Sequence, residues 1–78
     1  LDALVGAEAT ADLVRLVNTL PQPRREIIKR RFGFDGPPET AAAIADSLGL
    51  TPTRVLQLQN SALKMLRARI ARDRWLAR

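Results

Sequence analysis

A chain of 78 residues is one domain, and a domain of that size buries only about 60% of its unfolded surface, so its margin of stability is small. Apolar residues, mostly Ala, Leu, Ile and Val, make up 46% of it, the composition of a compact helical domain rather than a disordered tail. There is no cysteine and no histidine, which excludes disulfide staples, zinc ligation of the Cys/His type and the commonest nucleophile–base pairs.

The carboxylates are scattered without metal-ligand spacing, so neither catalysis nor a metal or other cofactor is expected. No apolar run approaches the roughly 20 residues that span a bilayer, and no signal-peptide pattern is present. A soluble, cytoplasmic protein without membrane contact is expected. The chain begins at Leu1 rather than at a methionine, as a piece excised from a longer protein would.

The net charge of +5 is unevenly spread: residues 24–34 carry five basic groups and one acid, residues 51–78 seven and one, and the segments 1–23 and 35–50 are acidic. Charge concentrated in this way suits a polyanion. A solvated basic face, or one that binds an acidic protein, has the same composition.

Along residues 2–20 a short first helix or its approach leads to a firmer helix from Thr10. Thr10 can cap it, Asp12 suits its positive end, and Leu13, Leu16, Val17 and Leu20 form an apolar stripe. Pro21 and Pro23 break it. The next helix is expected from about Pro23 to Phe32. It turns Ile27, Ile28 and Phe32 toward the core and rings the outside with Arg24, Arg25, Lys29 and Arg30; Gly33 ends it. Phe34–Glu39 reads as a loop, with Asp35-Gly36 as a turn and Pro37-Pro38 as an extended spacer. Phe34 is expected to fold back and plug the core beneath that loop.

Residues 40–66 read as two helices joined by a tight turn. Thr40 caps the first, Ile44 and Leu48 share a stripe, Ala45 permits close approach, and Gly49 stands where the helix must stop. Thr51 then offers an N-cap hydroxyl and Pro52 the first helical position. Val55, Leu58, Ala62 and Leu66 repeat at helical spacing, closing on Ile44 and Leu48, and leave Thr53, Arg54, Gln57, Asn60 and Lys64 outward. In a helix-turn-helix that outward N-terminal part enters the DNA major groove. The plainer alternative is an αα-hairpin that only completes a small core. The last helix continues through a basic extension, residues 67–78, gathering Lys64, Arg67, Arg69, Arg72 and Arg74 on its outer side. Trp75 there is expected to pack against the first helix or another chain.

The order of these features resembles region 4 of the bacterial sigma-70 family. The matching residues are Leu20-Pro21, Arg31-Phe32-Gly33 with Asp35, Thr40 with Leu48-Gly49, and Val55, Gln57, Leu58, Ala62, Leu63, Leu66 and Arg67. The resemblance implies an all-α domain of four to five helices without a sheet, winged-helix-like, with residues 1–78 as one unit and the helix-turn-helix at 40–66. It implies transcription initiation: binding the minus-35 element of double-stranded promoter DNA and docking on the β flap of RNA polymerase core. The candidate DNA-contacting set is Thr51, Thr53, Arg54, Gln57, Asn60, Lys64 and Arg67. The candidate flap-binding hollow is lined by Leu13, Leu16, Ile27, Ile28 and Phe32.

The sequence departs from the primary members of that family. They usually carry an Arg-Glu pair after the capping residue and an Arg directly before the Gln, where this chain has Pro52, Thr53 and Leu56. Gln59 stands where Glu is usual and Ser61 where a basic residue is usual. A bidentate Arg–guanine pair is worth roughly 1–3 kcal/mol of discrimination, which neither Leu nor Pro can supply. Either the sequence preference differs or base readout is largely lost. In the second case Leu56, with Met65 nearby, makes an apolar strip for a protein such as an anti-sigma factor or activator. A helix-turn-helix domain of another regulator is the remaining alternative.

Overall fold

The computed structural model describes the backbone of residues 7–76 and the side chains of residues 13–72. Four helices stand in order among them: α1 (Ala7–Asn18), α2 (Arg24–Arg31), α3 (Ala41–Leu48) and α4 (Pro52–Leu76), with no strand among the described residues. None of these helices is long and apolar enough to cross a membrane. α1 already runs from Ala7, so Thr10 lies inside it rather than at its cap. The roles expected of Arg74 and Trp75 fall outside the described side chains.

The core is two clusters sharing α2 and α4. Val17, Leu20, Ile28, Ala62 and Leu66 form the first, with Leu13, Leu16, Phe34, Leu63 and Met65 packed against it. Ile27, Ile44, Ala45, Val55 and Leu58 form the second, backed by Ala41, Leu48 and Leu50. Adjacent Ile27 and Ile28 point about 100° apart on a helix, so α2 feeds one isoleucine to each cluster. α1 closes the first cluster and α3 the second.

Two glycine turns set the chain's course. Gly33 (φ 72°) and Gly49 (φ 69°) are left-handed, and the amide after each donates back into the finished helix: Phe34 N–H to Lys29 O at 2.9 Å and Leu50 N–H to Ala45 O at 2.9 Å. This is the Schellman ending, whose residue after the glycine commonly packs against the helix it leaves. Phe34 accordingly lands on the first cluster, as the sequence predicts, and Leu50 on the second. Phe32 behaves differently. α2 stops at Arg31, Phe32 occupies its C-cap, and the turn leaves Phe32 38% exposed instead of in the core.

Candidate nucleic-acid interface

α4 is placed by capping and by burial. Thr40 Oγ1 accepts from Ala43 N–H at 3.1 Å to start α3, and Thr51 Oγ1 accepts from Arg54 N–H at 3.1 Å to start α4. Pro52 is the first residue of α4. Val55, Leu58, Ala62 and Leu66 are buried, which fixes the rotation of the helix about its axis. The opposite side then carries Thr53, Gln57, Asn60, Lys64 and Arg67, with Thr51 and Arg54 beside them, and all seven are exposed.

The seven predicted DNA-contacting residues are therefore brought together on one accessible surface. Arg54 Nη1 donates to Gln57 Oε1 at 3.4 Å, a weak link between two side chains one turn apart. Farther along, Asn60, Ser61, Leu63, Lys64 and Arg67 surround an open depression of about 470 Å³. Thr51 Oγ1, which accepts from the helix, still has a hydroxyl hydrogen and a second lone pair to offer at the surface.

Much of the other basic charge is engaged within the fold. Arg24 Nε donates to Ser61 Oγ at 2.9 Å, and Arg31 donates to Gln59 Oε1 and Glu39 O, both at 3.3 Å. The two departures at Gln59 and Ser61 thus serve as acceptors for α2. A basic side chain at position 61 would face the Arg24 guanidinium instead. Arg30 is held more firmly: its Nε and Nη2 donate to the two Glu39 oxygens at 2.9 and 2.7 Å, and Nη1 donates to Ser47 Oγ at 2.9 Å. These hydrogen bonds hold the Glu39 carboxyl below the usual carboxylate range and raise Arg30 above its ordinary value. Arg30 is a clamp between α2, the loop and α3 rather than part of a solvated ring. Arg69, expected to face outward, donates from Nη1 to Thr19 Oγ1 at 2.7 Å and ties α4 to the end of α1. Arg72 remains exposed.

The expected apolar hollow is distributed differently. Ile27 and Ile28 are fully buried, in different clusters, and Leu13 and Leu16 are half-buried against the first. The large apolar side chains that α1 and the end of α2 leave exposed are Val14 and Phe32, each 38%. Val14 escapes sequence reading because its neighbours Leu13, Leu16 and Val17 already fill the buried stripe. Met65 likewise lies nine residues from Leu56, half a revolution around the helix, and packs on the first cluster; the two do not form one strip.

The sequence matches Sigma-70, region 4, over residues 16–68. It is also similar to the RNA polymerase principal sigma factor HrdC of Streptomyces coelicolor, at 40% identity over 67 residues, which cover 85% of this chain and 20% of that protein. The chain thus spans about a fifth of the length of that relative. No solved structure matches the chain significantly. The family match takes in α2, α3 and the first four turns of α4, and with them the whole helix-turn-helix; the chain belongs to the sigma-70 region 4 family.

Proposed function

We infer that this domain acts in transcription initiation, binding the minus-35 region of promoter DNA through the outward face of α4 and docking on the β flap of RNA polymerase. The observation that carries the DNA half is the division of α4 into a fully buried side, Val55, Leu58, Ala62 and Leu66, and an exposed side bearing Arg54, Gln57, Asn60, Lys64 and Arg67. A recognition helix needs that division, because it must be held rigidly by one side while the other lies in the groove.

With Pro52, Thr53 and Leu56 at base-reading positions, phosphate contacts supply most of the affinity. Each neutralised phosphate adds about −0.9 to the log–log salt slope. Arg67→Ala is expected to weaken binding to all duplexes alike and to flatten that slope by about 0.9. Gln57→Ala is expected to change discrimination between sequences while leaving the slope alone. Fluorescence anisotropy on a promoter duplex and a scrambled one, over a salt series, measures both. Absence of binding even at low salt would make the motif a retained scaffold and favour a module for an anti-sigma factor or activator.

The polymerase half is supported by the family membership and by the exposed Val14 and Phe32. Capture of the chain by the isolated β flap is expected to weaken in Phe32→Ala. No association at high micromolar concentration would overturn the polymerase half and leave the DNA half standing.

A further inference from the structure

Leu56 is 42% exposed on α4, the one large aliphatic side chain left exposed on that helix among the described residues. It belongs to neither core cluster. By helical spacing its neighbours are Pro52 and Thr53 before it and Gln59 and Asn60 after it; Pro52, Thr53 and Asn60 are exposed, and all but Pro52 are polar. Arg54, Lys64 and Arg67 are exposed on the same stretch of helix. An apolar side chain in such a setting gains nothing from water.

Its surroundings argue against a protein partner. Docking patches for proteins run to a few hundred Å² of contiguous apolar surface, yet Leu63 and Met65 farther along α4 pack against the first core cluster. The two other large exposed apolar residues stand on α1 and at the end of α2. With Leu63 half-buried against the core and Pro52 small, Leu56 is the one large apolar side chain exposed on a basic, polar face, which fits a polyanion with a single apolar feature at the matching place. The major groove has one: of the four bases only thymine presents an apolar group there, its 5-methyl.

We propose that Leu56 reads a thymine methyl group in the major groove, so that the domain prefers A·T pairs where an arginine at this position would prefer guanine. The proposal rests on α4 being the DNA-binding helix. Gln57 beside it fits the same choice, since a glutamine amide pairs in bidentate fashion with the N6 and N7 edge of adenine. Leucine has no donor or acceptor, so Leu56 discriminates only through the methyl and is indifferent to the hydrogen-bonding edge of the base.

Replacing thymidine by deoxyuridine removes the methyl and leaves every hydrogen-bonding group in place. Anisotropy titrations of the full chain with a short alternating dA–dT duplex and with its deoxyuridine counterpart, at low salt, test the proposal. Alternation offers a methyl group at every register. The expected result is that the wild-type chain loses about fourfold in affinity per contacted methyl, and that Leu56→Ala binds both duplexes equally while keeping its helical circular dichroism. Equal binding of the two duplexes by the wild-type chain overturns the proposal and leaves the DNA-binding reading intact. A thymine preference that survives in Leu56→Ala also overturns it, because another group then reads the methyl. No binding to either duplex sinks the DNA-binding reading together with this one.

Discussion

Arg30 shows how a surface charge becomes a structural part. Three of its nitrogens are committed, two to the Glu39 carboxylate and one to Ser47, while Glu39 N–H donates to Arg30 O at 2.9 Å. The pair locks the loop before α3 in both directions, whereas the Lys29–Asp35 pair at 3.8 Å, with Asp35 largely exposed, adds little. Since hydrogen bonding by Arg30 depresses the folded-state pKa of Glu39, the contribution to stability is complete above the unfolded carboxylate value, about 4.3. It is lost as pH falls through the lower folded value. The raised value of Arg30 acts only at the alkaline extreme and does not enter this window. Thermal melts of the wild-type chain and Glu39→Gln should therefore differ at neutral pH and converge as pH drops below about 4. A gap between the two that persists unchanged in acid would mean that the carboxylate charge is not what holds the loop. None of this was readable from the sequence, where Arg30, Glu39 and Ser47 are separated by a loop of unknown path. Arg69 is a similar case, because its partner Thr19 lies fifty residues away.

At the level of elements, what was legible was local. Thr40, Gly49, Thr51 and Pro52 specify the helix ends through interactions within a few residues, and each occupies the role its chemistry predicts. Phe32 departs from the sequence expectation because periodicity extends α2 one position too far; its exposure depends on where the left-handed turn begins. Both Ile27 and Ile28 are buried as the sequence predicts, but their division between two clusters is decided only by the docking of α1 and α3 on different sides of α2. The two glycines also differ in a way φ alone does not disclose. A Cβ at Gly49 meets nothing within 4 Å, whereas one at Gly33 would come within 2.9 Å of Pro38 Cγ and 3.0 Å of Gly36 O. Gly49→Ala should cost only the left-handed backbone penalty, about 1–2 kcal/mol, or a fall in Tm of roughly 4–8 °C per kcal/mol in a domain of this size. Gly33→Ala should fall distinctly further, since the Pro37-Pro38 spacer must also shift. Equal melting temperatures for the two variants would show that the spacer yields freely.

On the scale of the whole molecule, the two clusters divide the labour. α3 and the start of α4 form a firmly packed unit around Ile44 and Val55, which presents the polar face of α4. α1, α2 and the middle of α4 form the other unit around Val17 and Leu66, leaving Val14 and Phe32 exposed. The family was legible because its signature lies in helix caps and a repeating core, which the fold preserves. The proposed partner surfaces were only partly so: the proposed DNA face follows from the burial of one side of a single helix, while the proposed flap face depends on which apolar side chains the core leaves over. Under the proposed function, duplex DNA meets the outward face of the first turns of α4. Titrating a promoter duplex into the isotope-labelled chain, and following backbone amide shifts by NMR at low salt, tests it most directly. Shifts at Thr53, Arg54, Gln57, Asn60 and Lys64, with Leu13 to Val17 on α1 unmoved, are the predicted result. Shifts centred on α1, or none anywhere at saturating DNA, would contradict it.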